Sequence, residues 1–359
     1  MTLAEFRELI GPAAVAANWT EVASNRTPYL GETLFPVRQK SGLDLSWFKG
    51  NKGLPISLKP SAFDAKATFR DRVGVDRIDT EMPFFREGRK VKEKDRQDVR
   101  RVEDTYDPFA REIIARVFDD ANDLLEGARV VPERMIMQLL FAIDGEMGIS
   151  IQANGVDYTY EYDANDVWKG TNYFALEGNA LWTATSTADP FNDIQTAKDA
   201  VAAKGGVTRY IAMNGTTFRL LRGITTVKNR FLTTNGLALG YLSDRDIVNV
   251  LKDTLDLDGV IVYDKQYKDE SGATHKFVPD GYVSLLPEGQ LGNTWRGTTP
   301  EESDLMDKDS GAVVAVVENG IAITQEVTTH PVNINTYVSE IVLPSFERMD
   351  EVALLKVTA

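Results

Sequence analysis

The sequence of 359 residues has no cysteine and only two histidines, His275 and His330. A chain without cysteine forms no disulfide bridge, has no thiolate nucleophile and offers no thiolate to zinc. Two isolated histidines are too few for a multi-histidine metal site, and no phosphate-binding loop or nucleophile-elbow motif occurs. We therefore assign no catalytic, cofactor-binding or metal-ligating residue, and we expect the protein to use no cofactor.

Long apolar runs are missing as well. None approaches the ~18 residues that a membrane span needs, and the N-terminus carries Glu5 and Glu8 where a secretory signal would be basic and then apolar. We expect a chain made in a cytoplasm, with no membrane partner. A composition of 43% hydrophobic residues, with 16 Phe, 12 Tyr and 5 Trp, predicts folded domains rather than disorder.

The net charge of −14 is unevenly distributed. Residues 37–101 contain 17 Lys/Arg against 10 Asp/Glu, so this segment is positive and the rest of the chain is strongly negative. Phosphate backbones repel an acidic protein, which makes sequence-independent nucleic-acid binding unfavourable. A basic segment on an acidic body is complementary between copies of the same chain, although a solvated charged surface would explain the pattern equally well.

Local patterns predict a mixture of helices and strands. Pro108 opens a helix that is expected to end at Gly127, and Pro132 opens a second, largely apolar helix. Alternating residues on both sides of Asn154-Gly155 predict a β-hairpin. Further signals are a helix after Asp189-Pro190, a capping box from Ser243 to Asp246, and strands over 207–213, 259–263, 282–286, 313–317, 321–327, 332–343 and 352–357. We expect the C-terminal strands to pair back with the hairpin near residue 150.

The segment from Tyr29 to Arg86 has an unusual composition. Glycine and proline interrupt it repeatedly, yet large apolar side chains continue throughout. Structureless stretches of this length are uncommon inside a compact domain, and an isolated two-stranded arm is marginally stable. We therefore interpret this segment as an arm that buries its aromatic side chains against a neighbouring copy.

Several short stretches resemble one known family. The order of elements is similar to that of the HK97-type coat-protein fold, an α+β fold. The short sequence motifs resemble those of the phage major capsid protein E family, which includes the phage lambda coat protein. The stretches that carry the resemblance are YLGETLFP (29–36), GLPISLKP (53–60), TEMPFFRE (80–87), ADPFNDI (188–194) and IAMNGTTF (211–218). They are packing and turn motifs rather than reactive ones, so their number and order matter more than any single one.

The resemblance implies a division of the chain into five parts. These would be an N-terminal arm (1–36), an extended E-loop (37–90), a peripheral P-domain with a long spine helix and the hairpin (91–165), an axial A-domain (166–315) and P-domain C-terminal strands (316–359). The subunit would assemble into hexamers and pentamers of an icosahedral phage head that encloses double-stranded DNA without binding it specifically. It would be a virion component, assembled in the host bacterial cytoplasm.

The arm supplies the candidates for contact between subunits, and no catalytic role follows from the resemblance. The candidates are Phe35, Trp47, Phe48, Arg70, Arg72, Arg77, Phe84, Phe85 and Arg86. Separate scaffolding and portal proteins are the expected partners, and a decoration protein is a further possible one. Two alternatives remain open at this point: a shell protein of an encapsulin-like nanocompartment and, from a different class, a carboxylate-based hydrolase or calcium-dependent binding module.

Overall fold

The computed structural model describes residues 10–24, 26–49, 76–91, 108–153, 155–235, 242–305, 313–329 and 332–359. Its helices are α1 (Pro12–Ser24), α2 (Leu30–Leu34), α3 (Pro108–Leu140), α4 (Lys169–Asn172), α5 (Pro190–Ala203), α6 (Gly215–Gly223), α7 (Thr225–Asn235), α8 (Asp244–Leu255) and α9 (Pro300–Asp304). No helix among these residues is long and apolar enough to cross a membrane.

The strands occupy both halves of the chain. In order they are β1 (Val37–Gln39), β2 (Asp44–Lys49), β3 (Asp76–Glu81), β4 (Phe84–Val91), β5 (Gly148–Ala153), β6 (Val156–Glu161), β7 (Tyr173–Ala175), β8 (Thr208–Met213), β9 (Gly259–Val262), β10 (Gln266–Lys268), β11 (Thr274–Lys276), β12 (Tyr282–Pro287), β13 (Asn293–Arg296), β14 (Val313–Val317), β15 (Ile321–Thr329), β16 (Val332–Ser345) and β17 (Ala353–Lys356).

Local sequence signals explain where several elements begin. The Asp189 side chain accepts a hydrogen bond from the backbone N–H of Asn192 and caps α5, which starts with Pro190. Ser243 and Asp246 form the predicted capping box at the start of α8. Gly155 has a φ of +78°, the left-handed conformation that the tight turn between β5 and β6 requires. These three predictions are confirmed because each depends only on residues close in sequence.

The two helices predicted over 108–143 are a single helix of 33 residues, α3. It begins at Pro108 as predicted but continues through Gly127 and Pro132. Pro132 has no N–H to donate to the preceding turn, a change that normally interrupts a helix. Here buried apolar side chains lie on both sides of it, among them Leu125 and Met135 at 0% exposure. Tertiary burial therefore outweighs the local cost of the proline.

The chain forms two compact units, each built from separate stretches of sequence. The first comprises Met1–Leu45, Asp79–Glu133 and Asn293–Ser345, and the second Ser46–Ile78, Arg134–Gly292 and Phe346–Ala359. This description does not test the five-part division, whose boundaries stay a prediction.

A mixed sheet organises the first unit. Its strand order is β1-β13-β16-β15-β14, with β4 also paired to β16. Strand β16 is 14 residues long and runs antiparallel to β4, β13 and β15, whereas β1 lies parallel to β13. Helices α1 and α3 cover one face through a core that includes Val15, Trp19, Leu125, Ile323 and Val338.

The second unit contains a five-stranded sheet in the order β7-β17-β12-β8-β9. Side chains of α5, α6, α7 and α8 pack against it in a core that includes Ile194, Leu221, Leu251 and Val283. The pairs β5–β6 and β10–β11 each form a separate two-stranded sheet.

The predicted pairing of the C-terminal strands with the hairpin is wrong. Strand β16 pairs with β4, in the register Ile341↔Phe84 to Ile334↔Val91, and β17 pairs with β12 and β7. The hairpin strands β5 and β6 pair with each other. Strand patterns predict which side chains share a face, but they carry no information on which distant strand supplies the hydrogen-bonding partner.

Candidate assembly surface

Strands β2 and β3 form a two-stranded arm at the two ends of residues 50–75, which lie outside the described part of the chain. The backbone N–H of Met82 donates a hydrogen bond to the carbonyl oxygen of Leu43 (2.9 Å) and so closes the base of the arm. This hydrogen bond therefore anchors the arm at its base.

The two faces of β2 differ sharply in exposure. Leu45 and Trp47 point to one face and are 1% and 6% exposed, whereas Phe48, on the other face, is 61% exposed. The Trp47 ring lies 5.5 Å from the Tyr162 ring, centroid to centroid. Trp47 is thus buried within its own chain and we no longer place it in the contact surface, while Phe48 stays there.

Phe35 also leaves the set of contact candidates. It follows α2 and is completely buried within the first unit, and the carbonyl oxygen of Phe35 accepts a hydrogen bond from the Thr294 hydroxyl (2.9 Å). The repeating apolar pattern of the segment concealed this difference, because an aromatic residue that fills its own core and one that faces outward look the same in sequence.

Arg86 has a partner in its own chain. Its guanidinium forms a salt bridge with Glu301, whose side chain is 6% exposed, and lies 4.8 Å from the centre of the Phe84 ring. Phe84 and Phe85 are half-buried on β4. Since Arg86 neutralises a buried carboxylate, a substitution there would disturb the subunit itself as well as any contact.

The other arginines among the contact candidates are Arg70, Arg72 and Arg77. Arg77 is exposed on β3, while Arg70 and Arg72 lie outside the described residues. Of the nine predicted contact residues, Phe48 and Arg77 are exposed on adjacent strands of the small β2–β3 sheet. Arg86 is exposed as well, but it lies on β4 and forms a salt bridge with Glu301.

Sequence reasoning missed a charged cluster that fastens the N-terminal segment to α3. The Tyr29 hydroxyl donates to Glu126 Oε1 (2.7 Å), the Gly31 N–H donates to Glu133 Oε2 (2.8 Å), and Arg129 Nε donates to Glu32 Oε1 (3.1 Å). Burial, reinforced by the Glu126 carboxylate, raises the pKa of Tyr29.

Arg129 stays charged within this cluster. Its burial opposes the charged form, but Glu32, Glu318 and Glu126 outweigh that effect and raise the pKa of Arg129. The signal for the cluster was the spacing of Glu126, Arg129 and Glu133, which places the three on one side of the helix. Their partners lie about a hundred positions away in the sequence and could not be paired with them.

A second charged group lies at the turn between β14 and β15. The Trp19 indole N–H donates to Glu318 Oε1 (2.9 Å), and an Arg296 N–H donates to the Glu318 carbonyl oxygen. Arg296 Nε lies 3.8 Å from the carboxylate of Glu340, which is 1% exposed. This group joins α1, β13, β15 and β16 within the first unit.

Asp269, close to Gly272, stabilises the β10–β11 hairpin. Asp269 Oδ1 accepts hydrogen bonds from the N–H groups of Ser271 and Ala273, and Asp269 Oδ2 lies 2.8 Å from His275 Nε2. The Ser271 hydroxyl and then His275 hold the pKa of Asp269 well below its usual range. Across the part of the chain that the structure describes, no group of three or more His, Asp or Glu side chains is arranged to hold a metal ion.

The fold of this chain is similar to the folds of solved phage proteins. A phage-related protein from Bordetella bronchiseptica is similar over 95% of this chain and 96% of its own, with a TM-score of 0.56 and 14% identity. A proposed prophage capsid protein from Escherichia coli is similar over 79% and 80%, with a TM-score of 0.54 and 14% identity. At this identity the likeness concerns the fold alone, and it confirms the α+β, HK97-type fold predicted from the sequence.

The family follows from the sequence itself. Residues 12–357 match the model of the family described as phage major capsid protein E, so the chain belongs to that family. The resemblance seen in the short motifs is confirmed, and the protein is a capsid structural protein and a virion component that forms an oligomeric shell. No curated protein matches the chain significantly.

Proposed function

We propose that this subunit assembles into hexamers and pentamers of an icosahedral head around double-stranded DNA, and that it is not an enzyme. The observation that carries the proposal is the difference between the two faces of β2. Leu45 and Trp47 are buried on one face, whereas Phe48 is 61% exposed on the other. An outward aromatic side chain on an anchored arm suits a contact between subunits, because aromatic residues are enriched among those that dominate binding at protein interfaces. The contact that Phe48 makes is with an adjacent copy.

The charge of the chain supports the same function. With a net charge of −14, the wall of the shell repels the phosphate backbone and leaves the enclosed DNA free to be packed and released. Assembly takes place in the bacterial cytoplasm with the help of separate scaffolding and portal proteins. An encapsulin-like shell would differ in its contents, which would be a cargo enzyme in place of DNA.

The experiment compares Phe48→Asp with Val207→Asp, because Val207 is comparably exposed at 58%. We expect wild type and Val207→Asp to form closed particles in electron micrographs. Loss of an aromatic contact residue costs about 2 kcal/mol or more, or about 30-fold in a contact equilibrium, so Phe48→Asp should yield folded but unassembled subunits. Normal particles from Phe48→Asp would exclude this contact, and a monomeric wild type would exclude the shell.

A further inference from the structure

Strand β14 forms one edge of the sheet in the first unit. It pairs with β15 in the register Val313↔Gln325 to Val317↔Ile321, and among the described residues no strand pairs with its other edge. Its sequence is Val-Val-Ala-Val-Val, with Val313 43% exposed and the next three residues half-buried. Natural proteins protect open sheet edges with charges, prolines or bulges. Strand β14 has no charged residue and no proline.

A groove of about 430 Å³ lies between the C-terminal end of β14 and α1. Val316 and Val317 line one side of it, and Ala16, Ala17, Trp19 and Thr20 of α1 line the other. Trp19 is 1% exposed, and its hydrogen bond to Glu318 fixes this wall relative to the end of the strand. Recognition by strand addition needs backbone groups without a strand partner and adjacent space for alternate side chains. Among the described residues no strand pairs with this edge of β14, and the groove leaves space beside Val316 and Val317.

The net charge of the chain bears on which partner can bind at the edge of β14. Two copies of a chain with a net charge of −14 repel each other, so a contact between them is best placed where neither presents an unpaired charge. Glu318 is the one carboxylate among the described residues that line the groove; it accepts a hydrogen bond from Trp19 and lies 3.8 Å from Arg129 and 3.9 Å from Arg296. Within the described residues, β14 and the groove thus present no uncompensated charge to a second copy.

We propose that β14 pairs antiparallel with β14 of a second copy, about a two-fold axis at Ala315. The same apolar edge then meets itself, as a two-fold interface requires, and Val313 of each copy lies opposite Val317 of the other. The inference rests on the proposed function, because it names one of the contacts by which the shell closes.

The size of the contact determines when it forms. A strand of five residues is about 17 Å long, and its edge buries far less than the about 800 Å² per partner found in stable complexes. The pair therefore does not hold two free subunits together. It forms in the shell, where the other contacts raise the effective concentration of one edge near the next.

The absence of cysteine makes a direct test possible, because one introduced cysteine is the only thiol in the chain. Directly opposed residues of antiparallel strands have Cα atoms about 4.5–5.5 Å apart, within the range for a disulfide. In purified particles of Ala315→Cys, mild oxidation should link subunits in pairs, and mass spectrometry should find residue 315 joined to residue 315. Unassembled subunits at equal concentration should give about tenfold less.

The matched control is Val313→Cys on the same strand. In the proposed register the two copies of residue 313 are four positions apart, about 13 Å, and should not cross-link. If particles form and Ala315→Cys links no more than Val313→Cys, the proposal is overturned while the shell function stands. If wild type forms no particles, both fall. Should Ala315→Cys fail to assemble, amide exchange of residues 313–317 must be slower in wild-type particles than in free subunits, and equal rates would refute the pairing.

Discussion

Substitution of Glu340 by glutamine should stabilise the subunit, and increasingly so as the pH rises. Glu340 lies on β16 and is 1% exposed. Neither of its carboxylate oxygens has a hydrogen-bond partner among the described residues, and the nearest cation is Arg296 Nε at 3.8 Å. Burial raises the pKa of Glu340 from 4.5 to about 8; Arg296 opposes this effect and the Glu318 carboxylate reinforces it. Glu340 is therefore protonated in the folded protein at neutral pH.

The sign follows from the two states. The unfolded chain releases the Glu340 proton near pH 4.5, whereas the folded chain holds it until about pH 8. Glu340 therefore does not lower the free energy of unfolding below pH 4.5, and it lowers this free energy progressively as the pH rises to 8. At 1.36 kcal/mol per pH unit, the loss is about 3 kcal/mol at pH 7 and about 5 kcal/mol above pH 8. Glutamine resembles the protonated carboxyl in shape and cannot ionise, so Glu340→Gln should lack this loss.

The assay is urea unfolding of the unassembled subunit at pH 5, 7 and 9, followed by tryptophan fluorescence. Wild type and Glu340→Gln should differ by about 1 kcal/mol or less at pH 5 and by about 5 kcal/mol at pH 9. Glu326→Gln is the control, because Glu326 is exposed on the neighbouring strand β15 and its change should stay within about 0.5 kcal/mol. If the Glu340→Gln curve runs parallel to that of wild type, or lies below it at pH 9, then Glu340 is ionised in the fold and the reasoning is refuted.

Three further predictions concern α3, the β5–β6 turn and the arm. Gly127 is an exposed helical glycine with no atom within 4 Å of an added Cβ, so Gly127→Ala should raise the free energy of unfolding by about 0.5–1 kcal/mol. Gly155 has a φ of +78°, so Gly155→Ala should lower the free energy of unfolding by about 1 kcal/mol. Urea titrations that place both variants on the same side of wild type would contradict this account. Reversal of Arg70, Arg72 and Arg77 to glutamate should impair assembly most at low salt, because an acidic neighbouring surface would then repel the arm. Normal particle yields at both low and high salt would show that the arm charges are merely solvated, and Arg86 is left unchanged because it pairs with Glu301.

Local elements of the fold were predictable because their causes lie within a few residues. Asp189 caps a helix that starts at Pro190, and Ser243 bonds to the N–H of Asp246 three positions later. The glycine of the hairpin turn adopts the left-handed conformation that its position demands. In each case the hydrogen bond or the backbone angle is set by neighbours in sequence, so the residue types alone were sufficient.

The candidate site was predictable as a region but not residue by residue. The breaks and aromatics between Tyr29 and Arg86 indicated an extended segment, and its described residues form the strands β1, β2, β3 and β4 together with the short helix α2, which the pattern did not indicate. They did not distinguish Phe35 and Trp47, which are buried in their own chain, from Phe48, which is exposed. Exposure depends on which other elements cover a side chain, and that is a property of the packed structure.

The sequence by itself determined the family, the caps, the hairpin turn and the uneven charge. Tertiary structure alone decided that α3 continues through Pro132, that β4 pairs with β16 across about 250 residues, and that Glu340 is enclosed beside Arg296. The physical reason is the same for all three. Burial of apolar surface and the pairing of distant backbone groups involve partners far apart in the chain, and their free energies exceed the local preferences that a sequence pattern expresses.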